Sequence, residues 1–146
     1  MAVSKDVLKQ YIDLKEELKE VTRKISKLEE QILRIEEEGT VKDKVFGGEG
    51  GNQPFNIEGI PTPEYNRKMA MLHARKATQC LLRSDIEEKT LEVEQFISQI
   101  DDSRVRRIIE MRFIGGFSWN EVANNIGGGN SEDGVRMTFE RFMQKM

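Results

Sequence analysis

The run DSRVRRIIEMRFIGGFSWNEVANNIGGGNSEDGVRMTFERFMQKM, Asp102 to Met146, decides the fold of this chain. Two glycine-containing breaks, Gly115-Gly116-Phe117 and Gly127-Gly128-Gly129-Asn130, divide it into three segments of helical character. The middle one, SWNEVANNI, carries its own start signal. Ser118 is an N-cap residue and Glu121, three positions on, completes a capping box. Val122, Ala123 and Ile126 then fall at helical spacing, and Gly127 stands where a helix end wants a residue tolerant of positive φ. In the last segment Asn130 or Ser131 can cap. Val135, Phe139, Phe142, Met143 and Met146 make an apolar stripe at steps of three and four, which leaves Glu132, Asp133, Arg136, Met137, Glu140 and Arg141 to face outward. A short capped helix, a glycine turn and a second amphipathic helix match the pattern of a helix-turn-helix; a plain three-helix bundle with a solvated polar face is the structural alternative.

The run RRIIEMRFIGGFSWNEVANNIG followed by S-x-x-x-VR resembles region four of bacterial sigma factors. It is closer to a group of small phage and prophage proteins of sigma-like type, and with VKDKVFGGEGG and FNIEGIPTPEY the likeness extends over roughly residues 40–146. The resemblance implies a transcription regulator that binds double-stranded DNA and works with host RNA polymerase. It also implies that Ser131, Glu132, Asp133, Arg136 and Met137 lie on the first two exposed turns of a reading helix, with Arg141 beyond them. Arg136, the basic residue on those two turns, is the one able to grip guanine O6 and N7 in a bidentate fashion. The same resemblance leads to the expectation that Arg112 pairs with Glu121. Trp119 is expected as a lid on the core, while Arg104, Arg106 and Arg107 are candidates for phosphate or protein contacts.

Composition limits the alternatives. Charged residues make up 34% and hydrophobic residues 37% of 146, with only three prolines, as in a mostly helical protein. No apolar run approaches the ~20 residues that cross a bilayer, and MAVSKDVLK lacks a signal-peptide core, so a cytoplasmic, membrane-free protein is expected. One cysteine, Cys80, excludes an internal disulfide and a thiolate metal cluster. The single His73 has no histidine or cysteine companion at ligand spacing and no orienting carboxylate. Neither an enzymatic activity nor a cofactor is expected. The net charge of −3 is unusual for a DNA binder. From Asp101 to Met146 seven basic residues (Arg104, Arg106, Arg107, Arg112, Arg136, Arg141, Lys145) balance seven acidic ones (Asp101, Asp102, Glu110, Glu121, Glu132, Asp133, Glu140). DNA contact must then come from a local face.

Upstream, Val7, Tyr11, Leu14, Leu18, Val21, Ile25, Leu28, Ile32 and Ile35 alternate in steps of four and three. That 3.5-residue period is a coiled-coil seam over residues 1–38, and it leaves open whether the partner is internal or a second copy. Residues 39–62 read as a glycine-rich linker. Gly47-Gly48-Glu49-Gly50-Gly51 is not a phosphate loop, because no Lys-Ser/Thr follows, and Val45-Phe46 could pair with Phe55-Asn56-Ile57 as a short hairpin. Thr62-Pro63 then opens a second long helix to about residue 100. Between Tyr65 and Ser84 it carries Arg67, Lys68, Arg75, Lys76 and Arg83 and no acidic residue. Arg75 and Lys76 therefore either set the register against the acidic end of the first helix or track phosphates. The expected molecule is all-α: a helical hairpin or coiled coil, then a helix-turn-helix at 101–146. The rival is a coiled-coil adaptor, assembly protein or DNA-packaging component whose C-terminal bundle binds protein.

Overall fold

A computed structural model describes residues 3–50 and 62–146. The chain is all-helical, with no strand among the described residues. α1 spans Lys5–Gly50 and α2 spans Thr62–Ser98. Three short helices follow: α3 (Ser103–Ile109), which runs on into a π-helical turn at Glu110–Ile114, then α4 (Trp119–Ile126) and α5 (Glu132–Gln144). α1 passes through Gly39, where the sequence placed its end. A helical glycine costs only about 1 kcal/mol, which a continuing helix can absorb. The partner strand of the expected short hairpin, Phe55-Asn56-Ile57, lies outside the described residues.

The chain forms two compact units, residues 18–81 and residues 1–17 with 82–146. In the first, α1 buries Val21, Ile25, Leu28, Ile32 and Ile35, and α2 buries Leu72. Gln79 Nε2 donates to Thr22 Oγ1 at 3.2 Å and Lys68 Nζ to Gln31 Oε1 at 3.1 Å, so the two helices run antiparallel here. The α1 seam is therefore answered from within the chain.

In the second unit one apolar core joins four pieces of chain. The start of α1 gives Leu8 and Tyr11; the end of α2 gives Val93, Phe96 and Ile97, and the turn after it gives Ile100. α3 contributes Val105, Ile108 and Ile109, and α4 and α5 add Val122, Ile126, Val135 and Phe139. Leu8, Val93, Ile108, Ile109 and Val122 are wholly excluded from solvent. The core thus continues past the 101–146 boundary expected from sequence. The physical reason is visible in α1 itself: Val7-Leu8 and Tyr11-Ile12 give its first turns an apolar face wider than a two-position seam, and the excess width meets α3–α5. Thr90 donates its hydroxyl to the Ile86 carbonyl at 2.7 Å and so accepts from the Tyr11 hydroxyl at 2.6 Å.

Candidate nucleic-acid interface

α4 is fixed at its start by the reciprocal bonds foreseen for a capping box. Ser118 Oγ accepts the Glu121 N–H at 3.2 Å, and Glu121 Oε1 accepts the Ser118 N–H at 2.9 Å. The Ser118 backbone and hydroxyl bonds favour the ionised carboxylate and hold Glu121 below its ordinary value of 4.5. With Val122, Ala123 and Ile126 buried, α4 has one rotational setting. The turn to α5 takes Gly127, Gly128 and Gly129 at φ of 85°, 83° and 66°, a run that residues with a Cβ rarely adopt. Asn130 Nδ2 donates to the Gly127 carbonyl at 2.7 Å and braces the turn.

Ser131 caps α5 by accepting the Gly134 N–H at 3.0 Å. A Cβ on Gly134 would lie 3.1 Å from Ser131 Oγ, which gives this glycine a local reason inside the cap. Val135 and Phe139 anchor the helix inward, the Phe139 ring lying 5.3 Å from Phe113 and 5.4 Å from Trp119. Glu132, Asp133, Arg136, Met137 and Arg141 are consequently exposed, as is Ser131. Arg136 Nη2 forms an ion pair with Asp133 Oδ1 at 2.8 Å, so its guanidinium is already engaged along the helix surface. Glu140 is turned toward the start of α1, where it pairs with Lys5.

The other predicted cations divide. Arg106 Nη1 donates to the Ile100 carbonyl and, at 3.2 Å, to that of Asp101; Arg107 Nη2 donates to the Ile126 carbonyl at 3.3 Å. Both guanidiniums close helix C-termini, where carbonyls lack intrahelical partners. The Arg104 and Arg141 side chains have no hydrogen bond or ion pair among the described residues. In the other unit Lys76 lies 3.5 Å from Glu29, and Arg75 is half-buried beside Leu72. These contacts favour the pairing role for the basic stretch of α2.

Arg112 does not pair with Glu121. Its Nη1 donates to the Phe117 carbonyl at 2.9 Å, and its guanidinium lies 4.9 Å from the Trp119 ring centre. Glu121 is held by the capping box, which removes it as a partner. Burial lowers the Arg112 pKa, and its Nε has no partner. Trp119 packs edge-on against Phe113 at 6.5 Å and so lines the core rather than projecting as a stacking platform.

Sequence reasoning missed the residues that hold this assembly to α1. Lys15 Nζ donates to the carbonyls of Phe113 at 3.0 Å and Ile114 at 2.8 Å, the last of the π turn. That turn is closed by the Gly115 N–H on the Glu110 carbonyl at 2.9 Å. A Cβ at Gly115 would come within 2.8 Å of the Met111 carbonyl oxygen. No local sequence signal points to Lys15, since its partners are backbone atoms about a hundred residues away.

Among the described residues there is no group of three or more His, Cys, Asp or Glu placed to hold a metal ion, and no helix is long and apolar enough to cross a membrane. No family model, curated protein or solved structure matches the chain.

Proposed function

We propose that the chain is a DNA-binding transcription regulator of the phage sigma-like kind, with α4 and α5 as its helix-turn-helix and α5 as the reading helix. The observation that carries this is the setting of α5. Its start is capped by Ser131 and its inner face is locked by Val135 and Phe139. Ser131, Glu132, Asp133, Arg136 and Met137 are left bare on the two turns that such a motif lays in the major groove. Arg136 supplies the guanine contact after leaving Asp133, and Arg104 and Arg141 supply phosphate contacts. With so few free cations the lone chain binds weakly, and RNA polymerase contributes the remaining affinity.

The test is selection of bound duplexes from a random pool with the full chain, with and without polymerase, followed by salt titration on the enriched site. An enriched site supports the reading. Absence of enrichment in both arms favours the adaptor reading, which the engagement of Arg106 and Arg107 on carbonyls and the balanced charge of residues 101–146 already support.

A further inference from the structure

α5 carries an ion pair on the turns assigned to base reading. Arg136 Nη2 and Asp133 Oδ1 lie 2.8 Å apart, with 49% and 77% of their side chains exposed. Glu140, the carboxylate one turn past Arg136, is turned to Lys5 instead. At about 100° per residue, Arg136 lies about 60° to one side of Asp133 and Met137 about 40° to the other. The Asp133 carboxylate therefore stands inside the face that meets DNA, where a negative charge opposes phosphate.

The pair presents a donor group and an acceptor group side by side. One G·C pair offers the complement in the major groove: guanine O6 and N7 accept, and the cytosine N4 amine donates its outer hydrogen. O6 and N4 are hydrogen-bonded to each other and hence about 3 Å apart, close to the spacing of Asp133 from Arg136. Moving Arg136 from Asp133 to a phosphate exchanges one anion for another and leaves the carboxylate facing the DNA backbone without a partner. Moving Arg136 to guanine, with Asp133 on the cytosine of the same pair, answers both groups. An exposed ion pair is weak in water, so two guanine acceptors and one amine suffice to open it.

We infer that Asp133 is a specificity-determining residue of α5. It holds Arg136 off phosphate on random DNA, and it accepts the cytosine N4 amine when Arg136 takes the guanine of the same pair. The role rests on the regulator reading above and adds to it the acidic half of the reader and the base that receives it. Affinity for random duplex stays low because the cation is already engaged. A site is recognised by what it returns to both members of the pair.

Equilibrium binding of the full chain to the selected site tests this, with polymerase present where selection required it. Each cytosine paired to guanine is replaced in turn by 2-pyrimidinone, which still pairs with guanine but lacks the amine. At one position the wild type should lose about tenfold more affinity than Asp133→Ala does, as expected for a lost hydrogen bond to a charged group. On random duplex the salt slope of Asp133→Ala should exceed that of the wild type by about one unit, because Arg136 is released to a phosphate. The circular dichroism spectrum should not change, since Asp133 is exposed. Equal losses for both proteins on every modified duplex, or equal salt slopes, overturn the role of Asp133 and leave the regulator reading in place. Failure of the wild type to enrich any site, with or without polymerase, overturns that reading and the role of Asp133 with it.

Discussion

Arg112 shows how one side chain can hold a turn without an acidic partner. Its guanidinium lies on Trp119 and donates to the Phe117 carbonyl, which fixes the approach to α4. Lysine would keep the charge but lose the planar stack and the fixed donor direction. Arg112→Lys should thus destabilise the fold by about 1–2 kcal/mol in urea melts, against <0.5 kcal/mol for Arg104→Lys, whose side chain is unengaged. Glu121 titrates in the opposite sense to a group that gains a proton on folding. Its folded-state pKa is depressed by the Ser118 bonds, so its contribution is fully present above the ordinary carboxylate range and is lost as pH falls through the lowered value. Glu121→Gln can still cap, and it has no proton to take up. The stability gap between wild type and this variant should narrow as pH falls, read from denaturant midpoints across the acid range.

At the scale of elements, legibility followed the completeness of each pattern. The α1 seam was readable because every seam position from Val7 to Ile35 is apolar or aromatic. α2 showed only part of its inner stripe, through Leu72, Leu82, Ile86 and Val93, since Lys68, Arg75, Gln79 and Lys89 hold the other seam positions and Leu81 and Leu91 face outward. Polar residues survive there because the stripe is only half-buried and Lys68 and Gln79 find partners on α1. The bounds of α4 and its capping box were legible, and the cap of α5 was narrowed to Asn130 or Ser131, because each rests on residues within three positions. The attachment of α1 to α3–α5 was not, because it joins residues near opposite ends of the chain. Leu8→Ala should accordingly cost about 2–5 kcal/mol. Because Leu8 shares its core with Ile108 and Val135, the loss should appear in the Trp119 fluorescence transition of the C-terminal helices as well as in total helicity. Ile25→Asp, placing a charge in the dry seam of residues 18–81, should abolish the cooperative melt of that segment.

For the whole molecule, the proposed DNA binding has to be reconciled with a net charge of −3. The contacts of Arg106, Arg107 and Lys76 reduce the cations free to meet phosphate, so affinity should fall only gently with salt. Arg136→Ala should weaken binding to the selected site by about 1–3 kcal/mol while leaving random duplex binding and the melting curve unchanged; equal loss on both duplexes in a titration would move Arg136 to a phosphate role. Reversing Arg75 and Lys76 to glutamate should lower the stability of residues 18–81 by up to about 1 kcal/mol, because the Lys76–Glu29 pair is solvent-exposed. DNA affinity should be left intact.

The π turn ending at Gly115 has a consequence for how this sequence tolerates change. Gly115 is exposed and has an ordinary helical φ of −76°, two properties that normally mark a permissive site. Yet the Met111 carbonyl occupies the space a methyl group would need, and that oxygen also accepts the Phe117 N–H at 3.0 Å. In a library carrying every amino acid at every position, selection for folding should purge alanine at Gly115 along with everything larger, despite its exposure and ordinary φ.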